Sequence, residues 1–158
     1  MIEEKIVAFM TEKKLHLTTA ESCTGGMVAS RLVGVSGASN VLDQGLVTYT
    51  NKAKIRYLGV LQDTLEKYTA VSRQTASEMA RGGNKQTGSD VCVSITGYAG
   101  PGPAEDGTPA GRVYIGCCIH DDVFVKECDF TGSRNEVRKK AADAALELLY
   151  DFLMCKCN

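Results

Sequence analysis

Apolar residues recur along this chain at two spacings, one helical and one strand-like. In "IEEKIVAFMTEKK", Ile2, Ile6, Val7 and Met10 share one stripe, with glutamates early and lysines late, as the helix dipole favours. The segment predicts an opening helix. "LHLTTAE" is β-biased, and "SCTGGMVASRLVG" then supplies a cap-type serine, two glycines and an apolar period, so strand, turn and helix should follow in succession. "VLDQGLVTYT" reads as a second strand, "NKAKIRYLGV" as a short helix, and "AVSRQTASEMARGGNKQTG" as a longer helix capped by Ser72 and frayed at its glycines. "DVCVSIT" has the continuous apolar character of a buried strand.

The next fifteen residues, "GYAGPGPAEDGTPAG", hold five glycines and three prolines and cannot form regular structure. They form a long loop, and long loops in compact domains are usually functional or mobile. "RVYIGCCIH" and "DVFVKECDF" around "DD" predict a hairpin, and "NEVRKKAADAALELLYDFL" a strongly amphipathic closing helix. Strands separated by helices and then a hairpin define an α/β protein. The expected architecture is three layers, α/β/α, around a mixed, mostly parallel sheet of about five strands. At 158 residues, with no internal repeat or linker, the whole chain (1–158) is read as one domain.

Composition narrows the function classes. The formal net charge is −1 and the basic residues are scattered, which disfavours a phosphate-backbone binder, so nucleic acid is not an expected partner. No apolar run approaches the roughly 20 residues of a membrane span, and Met1 is followed by no basic signal region, so no membrane association and a cytoplasmic location are expected. Seven cysteines is an odd count at spacings unlike a disulfide framework; reduced, mostly buried thiols are the expectation. The terminal Cys155 and Cys157 lack a second ligand pair and read as a solvated tail. His16 and His120 are too isolated for a metal centre. Neither a metal nor another cofactor is expected.

In open α/β sheets ligands sit outside the carboxyl ends of the strands. Three segments should meet there: "ESCTGG", "TYTNKAK" and "TGYAGPG". A serine at a strand-to-helix turn lies near the free N–H groups of the helix start, and Gly25 and Gly26 allow close approach to the backbone, which suits an oxyanion hole. Ser22 is therefore the candidate nucleophile. Cys23 is its rival, but one residue further along the turn it should face the sheet. With histidine scarce, the base should be a lysine. Lys52 lies three residues after Tyr49, on one face if the chain turns helical after Thr50. A first helical turn together with burial would lower its pKa from about 10.4 toward the roughly 7 to 8 that a lysine base needs. Thr96 offers a further hydroxyl, and the glycines after it could present N–H groups to an anion such as a phosphate.

Taken together, "TAESCTGG", "VTYTNKAK", "AVSRQTASEMARG", "SITGYAGPG" and "GRVYIG", in this order and spacing, resemble the CinA C-terminal domain family over about residues 3–152. The chain looks like the stand-alone form, which lacks the N-terminal domain of longer members. The resemblance implies an α/β/α fold and deamidation of nicotinamide mononucleotide to nicotinate mononucleotide and ammonia. It implies Ser22 as nucleophile, Lys52 as its base, Tyr49 as a hydroxyl that relays or orients the proton, and Thr96 as a further active-site position. Amides of Thr24, Gly25 and Gly26 would hold the oxyanion. Gly97, Gly100 and Gly102 would line the substrate site, with Arg134, rather than Arg138, as the family's arginine. The partner is thus a small pyridine nucleotide, and a homo-oligomer, most simply a dimer, is expected. Tyr98, Ala110 and Arg112 depart from the family's usual residues at the edge of the site. The competing reading is a non-catalytic nucleotide-binding or regulatory module that keeps the pocket without the chemistry.

Overall fold

The computed structural model describes residues 1–158. Helix α1 (Ile2–Lys13) buries Ile6, Val7 and Met10 and ends at Lys14 in the left-handed conformation. It leads into β1 (Leu17–Glu21), which is buried along its whole length. Helix α2 (Met27–Val33), a short 3-10 turn (Ala38–Asn40) and β2 (Leu42–Val47) follow, then α3 (Asn51–Leu58), α4 (Gln62–Tyr68), α5 (Arg73–Thr87) and β3 (Val91–Gly97). The hairpin is β4 (Arg112–Ile119) and β5 (Asp122–Asp129), closed by His120 and Asp121, and α6 (Arg134–Cys157) ends the chain.

The strands lie in the order β2-β1-β3-β4-β5. The first three are parallel and the hairpin adds two antiparallel partners, so the sheet is mixed, with two parallel and two antiparallel interfaces. Helices α1, α2 and α6 pack on one face and α3, α4 and α5 on the other, giving the three-layer α/β fold the sequence predicts. The larger core joins Ile6, Met10, Val28 and the inner stripe of α6 (Ala141, Ala145, Leu149, Leu153) to the sheet. A smaller one holds Leu58, Leu65 and Met79 against Ala20 and Cys92. No helix is long and apolar enough to cross a membrane.

The chain leaves β1 toward β2 on one side and returns to β3 on the other. In this 2-1-3 arrangement the crevice at the carboxyl ends of β1 and β3 is the natural binding position. It is where Ser22 and Gly97 lie, one at the exit of each strand.

Three elements differ from expectation. Helix α4 has no predicted counterpart; its seven residues bury only Leu65, too few to set an apolar period. Helix α6 continues to Cys157, so the terminal cysteines are helical rather than a tail, and Cys157 packs against the core. Helix α5 does not fray at its glycines. Ser72 caps it through the Thr75 amide, and Gly82 and Gly83 are buried points of contact. A Cβ on Gly82 would fall 1.7 Å from the Leu58 carbonyl oxygen, and one on Gly83 would fall 2.3 Å from Cys92 Sγ. The glycines let α5 approach α3 and the sheet, and that packing outweighs their poor helix propensity.

Gly82→Ala must therefore displace backbone rather than a flexible side chain. We expect it to destabilise the fold by about 1–3 kcal/mol despite the gain in helix propensity, and a thermal melt against the wild type would check this.

Candidate active site

The strand-to-helix turn after β1 carries Ser22, the candidate nucleophile. The Ser22 amide still donates to the Ile95 carbonyl of β3 at 2.9 Å, so the sheet fixes the serine backbone, and the side chain is only 7 % exposed. Helix α2 begins later than the sequence predicts, with Gly26 at its N-cap, so Ser22 is not its cap. The Glu21 carboxylate serves instead. It accepts from the amides of Gly26 (3.1 Å), Val28 (3.2 Å) and Ala29 (2.9 Å) and from the Thr24 hydroxyl (2.5 Å). A carboxylate that gathers the free N–H groups of a helix start replaces the missing cap.

The lysine that meets Ser22 is Lys54, not the expected Lys52. Thr50 caps α3 by accepting from the Ala53 amide, and the helix it starts turns Lys54 and Leu58 inward together. Lys54 is 1 % exposed. Its Nζ donates to Ser22 Oγ at 2.9 Å, to the Thr48 carbonyl at 2.8 Å and, at 3.5 Å, to the Tyr49 carbonyl. Lys52 is exposed because two residues along a helix amount to about 200° of rotation. The signal in the sequence was the spacing of four between Lys54 and the apolar Leu58, which places both on one face. Burial pushes the Lys54 amine down from 10.5 to about 8, since no carboxylate stands near to favour the ammonium.

Cys23 adjoins the same cavity and also belongs to the core. Burial raises its thiol to about 11, so it is a neutral thiol near pH 7, and the serine beside a lysine is the better nucleophile.

The cavity over this pair is about 230 Å³. Ser22, Lys54 and Thr96 form its polar side, Ala70, Val71 and Ala99 an apolar wall, and Tyr49, Tyr98 and Arg134 also line it. Larger grooves lie on the surface, including one of about 520 Å³ between α2 and α6, but none contains a hydrogen-bonded nucleophile and base.

The other expected residues divide into those brought to the cavity and those left outside. Arg134 reaches it, donating to the Gly100 carbonyl (2.7 Å) and to the Tyr49 hydroxyl (3.0 Å). The Tyr49 phenol is thus bonded to Arg134 and makes no hydrogen bond to Ser22 or Lys54; only its carbonyl meets the lysine. Tyr49 is 59 % exposed, which suits the cavity mouth rather than a proton relay. Thr96 is buried and donates to the Ala70 carbonyl at 2.6 Å, so its hydroxyl braces the apolar wall. Gly97 lines the cavity where a Cβ would strike Val113 Cγ2 at 2.7 Å. Gly100 contributes the carbonyl that holds Arg134, whereas Gly102 is exposed and outside.

Thr24, Gly25 and Gly26 do not line the cavity. The Gly25 amide donates to the Ser22 carbonyl (3.1 Å) and the Gly26 amide to Glu21, so neither is free for an oxyanion. The amides of Cys23 and Thr24 have no protein acceptor. Of these two residues only Cys23 lines the cavity; Thr24 is fully buried. No group of three or more His, Cys, Asp or Glu side chains is placed to hold a metal ion.

A buried serine and lysine at the carboxyl edge of a mixed α/β/α sheet define the class: a three-layer domain with a serine–lysine pocket at its topological switch point. Within that class the chain belongs to the CinA family, since the family model "CinA C-terminal domain" matches residues 1–153. It is 47 % identical over 148 residues to a competence-damage inducible protein of Clostridium novyi, a match covering 94 % of this chain and 36 % of the relative. The chain thus spans about a third of the length of the curated relatives it matches. Among solved structures, the competence damage-inducible protein A of Klebsiella pneumoniae superposes with a TM-score of 0.94 at 35 % identity, covering 97 % of this chain and 95 % of that one. A competence/damage inducible protein of Agrobacterium tumefaciens superposes at 0.91 and 39 % identity, covering 95 % and 92 %.

The two lysines can be separated without knowing the substrate. A fluorophosphonate should phosphonylate Ser22. Lys54→Met should slow that labelling by about 10²- to 10⁴-fold, the usual span of general-base catalysis, while Lys52→Met leaves it at the wild-type rate.

Proposed function

We propose that this domain hydrolyses the carboxamide of a pyridine nucleotide, converting nicotinamide mononucleotide and water to nicotinate mononucleotide and ammonia. The observation that carries the reading is the buried contact between Lys54 Nζ and Ser22 Oγ.

A neutral amine has two N–H donors and one lone pair. The carbonyls of Thr48 and Tyr49 match the two donors, and the lone pair then faces the Ser22 hydroxyl. Lys54 takes the Ser22 proton as Oγ attacks the carboxamide carbon, and the free amide of Cys23 donates to the developing oxyanion. Lys54 returns the proton to the departing nitrogen, which leaves as ammonia. Water then attacks the acyl-enzyme, Lys54 again accepting a proton and Ser22 recovering it. No step needs a metal.

Substrate class follows from the rest of the cavity. Its small volume and the Ala70, Val71 and Ala99 wall suit a flat ring carrying the amide. Arg134 bonds only to neutral partners, a carbonyl and a phenol, so its charge is available to an anionic group such as a 5′-phosphate. The relatives' names speak of competence and damage and leave the reaction open.

Three results are expected from ammonia release measured with purified protein. Wild type turns over nicotinamide mononucleotide in the presence of a chelator, whereas Ser22→Ala does not; binding without turnover in the wild type would favour a regulatory module instead. Arg134→Met raises KM by about 10- to 100-fold, the worth of a charge-assisted hydrogen bond of about 1.5–3 kcal/mol. The base form of Lys54 dominates above pH 8 and the ammonium below it. kcat/KM should therefore climb about tenfold per pH unit up to pH 8 and level off beyond it.

A further inference from the structure

The nucleophile turn is gripped from two sides. Glu21 collects N–H groups of residues 26, 28 and 29 and the Thr24 hydroxyl. Arg138, from the second turn of α6, collects the carbonyls: Nε donates to Cys23 O at 2.9 Å and Nη2 to Thr24 O at 3.2 Å. Its remaining bond goes to the neutral side chain of Asn135 at 3.0 Å, and no carboxylate pairs with it. A cation this close to a helix N-terminus is disfavoured by the dipole, so an ordinary surface role does not account for it. Gly25 is fitted to the same contact. It stands at φ +59, and a Cβ there would lie 3.2 Å from Arg138 Nη2.

We propose that Arg138 is a positioning residue for the oxyanion donor, the Cys23 amide, acting through the peptide planes of the turn; this rests on the reading of Ser22 as nucleophile. In a trans peptide the C=O and N–H point in opposite directions. Holding the Cys23 carbonyl fixes the plane that ends in the buried Thr24 N–H. Holding the Thr24 carbonyl fixes the next plane, whose Gly25 N–H donates to the Ser22 carbonyl, and that bond sets the opposite N–H of the same peptide, that of Cys23, which lines the cavity and has no protein acceptor. Arg138 does not line the cavity and does not touch Lys54, so it bears on reaction at Ser22 and not on substrate affinity or on the base.

The experiment compares wild type, Arg138→Met and Arg138→Lys by fluorophosphonate labelling of Ser22 and by ammonia release from nicotinamide mononucleotide. Arg138→Met should slow labelling and kcat by about 10²-fold, as loss of an oxyanion donor does, with KM within about threefold of wild type. The pH midpoint of labelling should stay near that of the wild type, and added methylguanidinium should restore part of the rate. Arg138→Lys, able to serve one carbonyl, should fall between. Labelling of Arg138→Met at the wild-type rate overturns the proposal. So does a loss that tracks the folded fraction by circular dichroism in both variants without guanidinium rescue. A wild type that labels at Ser22 but releases no ammonia refutes the proposed substrate and leaves this test standing on labelling alone. A wild type whose Ser22 does not label refutes the nucleophile assignment and this proposal with it.

Discussion

An amine sealed from water beside a hydroxyl is the constraint on which the arrangement turns. Lys54 has no carboxylate partner, and its side chain is among the largest fully buried ones in the protein. Burying an unpaired ammonium is costly, and the group responds by losing its proton more readily. The loss becomes useful because the carbonyls of Thr48 and Tyr49 accept from the nitrogen and Ser22 Oγ lies at 2.9 Å. The fold supplies this contact from elements distant in sequence: β1 delivers the serine, the end of β2 delivers the carbonyls, and α3 delivers the lysine.

Everything around that contact limits how far the serine can move. Its amide is tied to β3, the turn after it is held through N–H groups by Glu21 and through carbonyls by Arg138, and the following helix is capped by the same Glu21. The cavity wall is braced likewise, with Thr96 holding the Ala70 carbonyl. The Thr96 hydroxyl that looks catalytic in the sequence is therefore spent on a backbone carbonyl, and the Thr24 hydroxyl on the Glu21 carboxylate. Their work is to keep other groups in place, which is what a preorganised site requires.

The switch in strand order gives the pocket its location. Strand β1 feeds one neighbour and β3 completes the other side, so the loops at their carboxyl ends diverge and leave a crevice. The amino end of α6 closes it, bringing Arg134 to the cavity and Arg138 behind the turn, four residues and one helical turn apart. That end of the helix carries two guanidinium groups without carboxylate partners, which gives the mouth a field suited to an anionic ligand.

The sequence by itself determined the elements whose apolar period is strong: α1, β1, β3, the hairpin and α6, together with the layer architecture and the Ser22 turn. It also carried enough scattered motifs to indicate the CinA family. It did not determine α4, whose single buried leucine sets no period, nor the persistence of α5 through Gly82 and Gly83, which depends on how closely Leu58 and Cys92 approach. The choice between Lys52 and Lys54 was likewise a tertiary matter. Two residues apart on a helix they face nearly opposite ways, and the packing of α3 against α5 decides which points inward. The free amides belong to the same class, because whether an N–H is available depends on where every neighbouring acceptor lies. Glu21 and Arg138 reach those neighbours through space, and Arg138 stands 115 residues from the Cys23 carbonyl it holds.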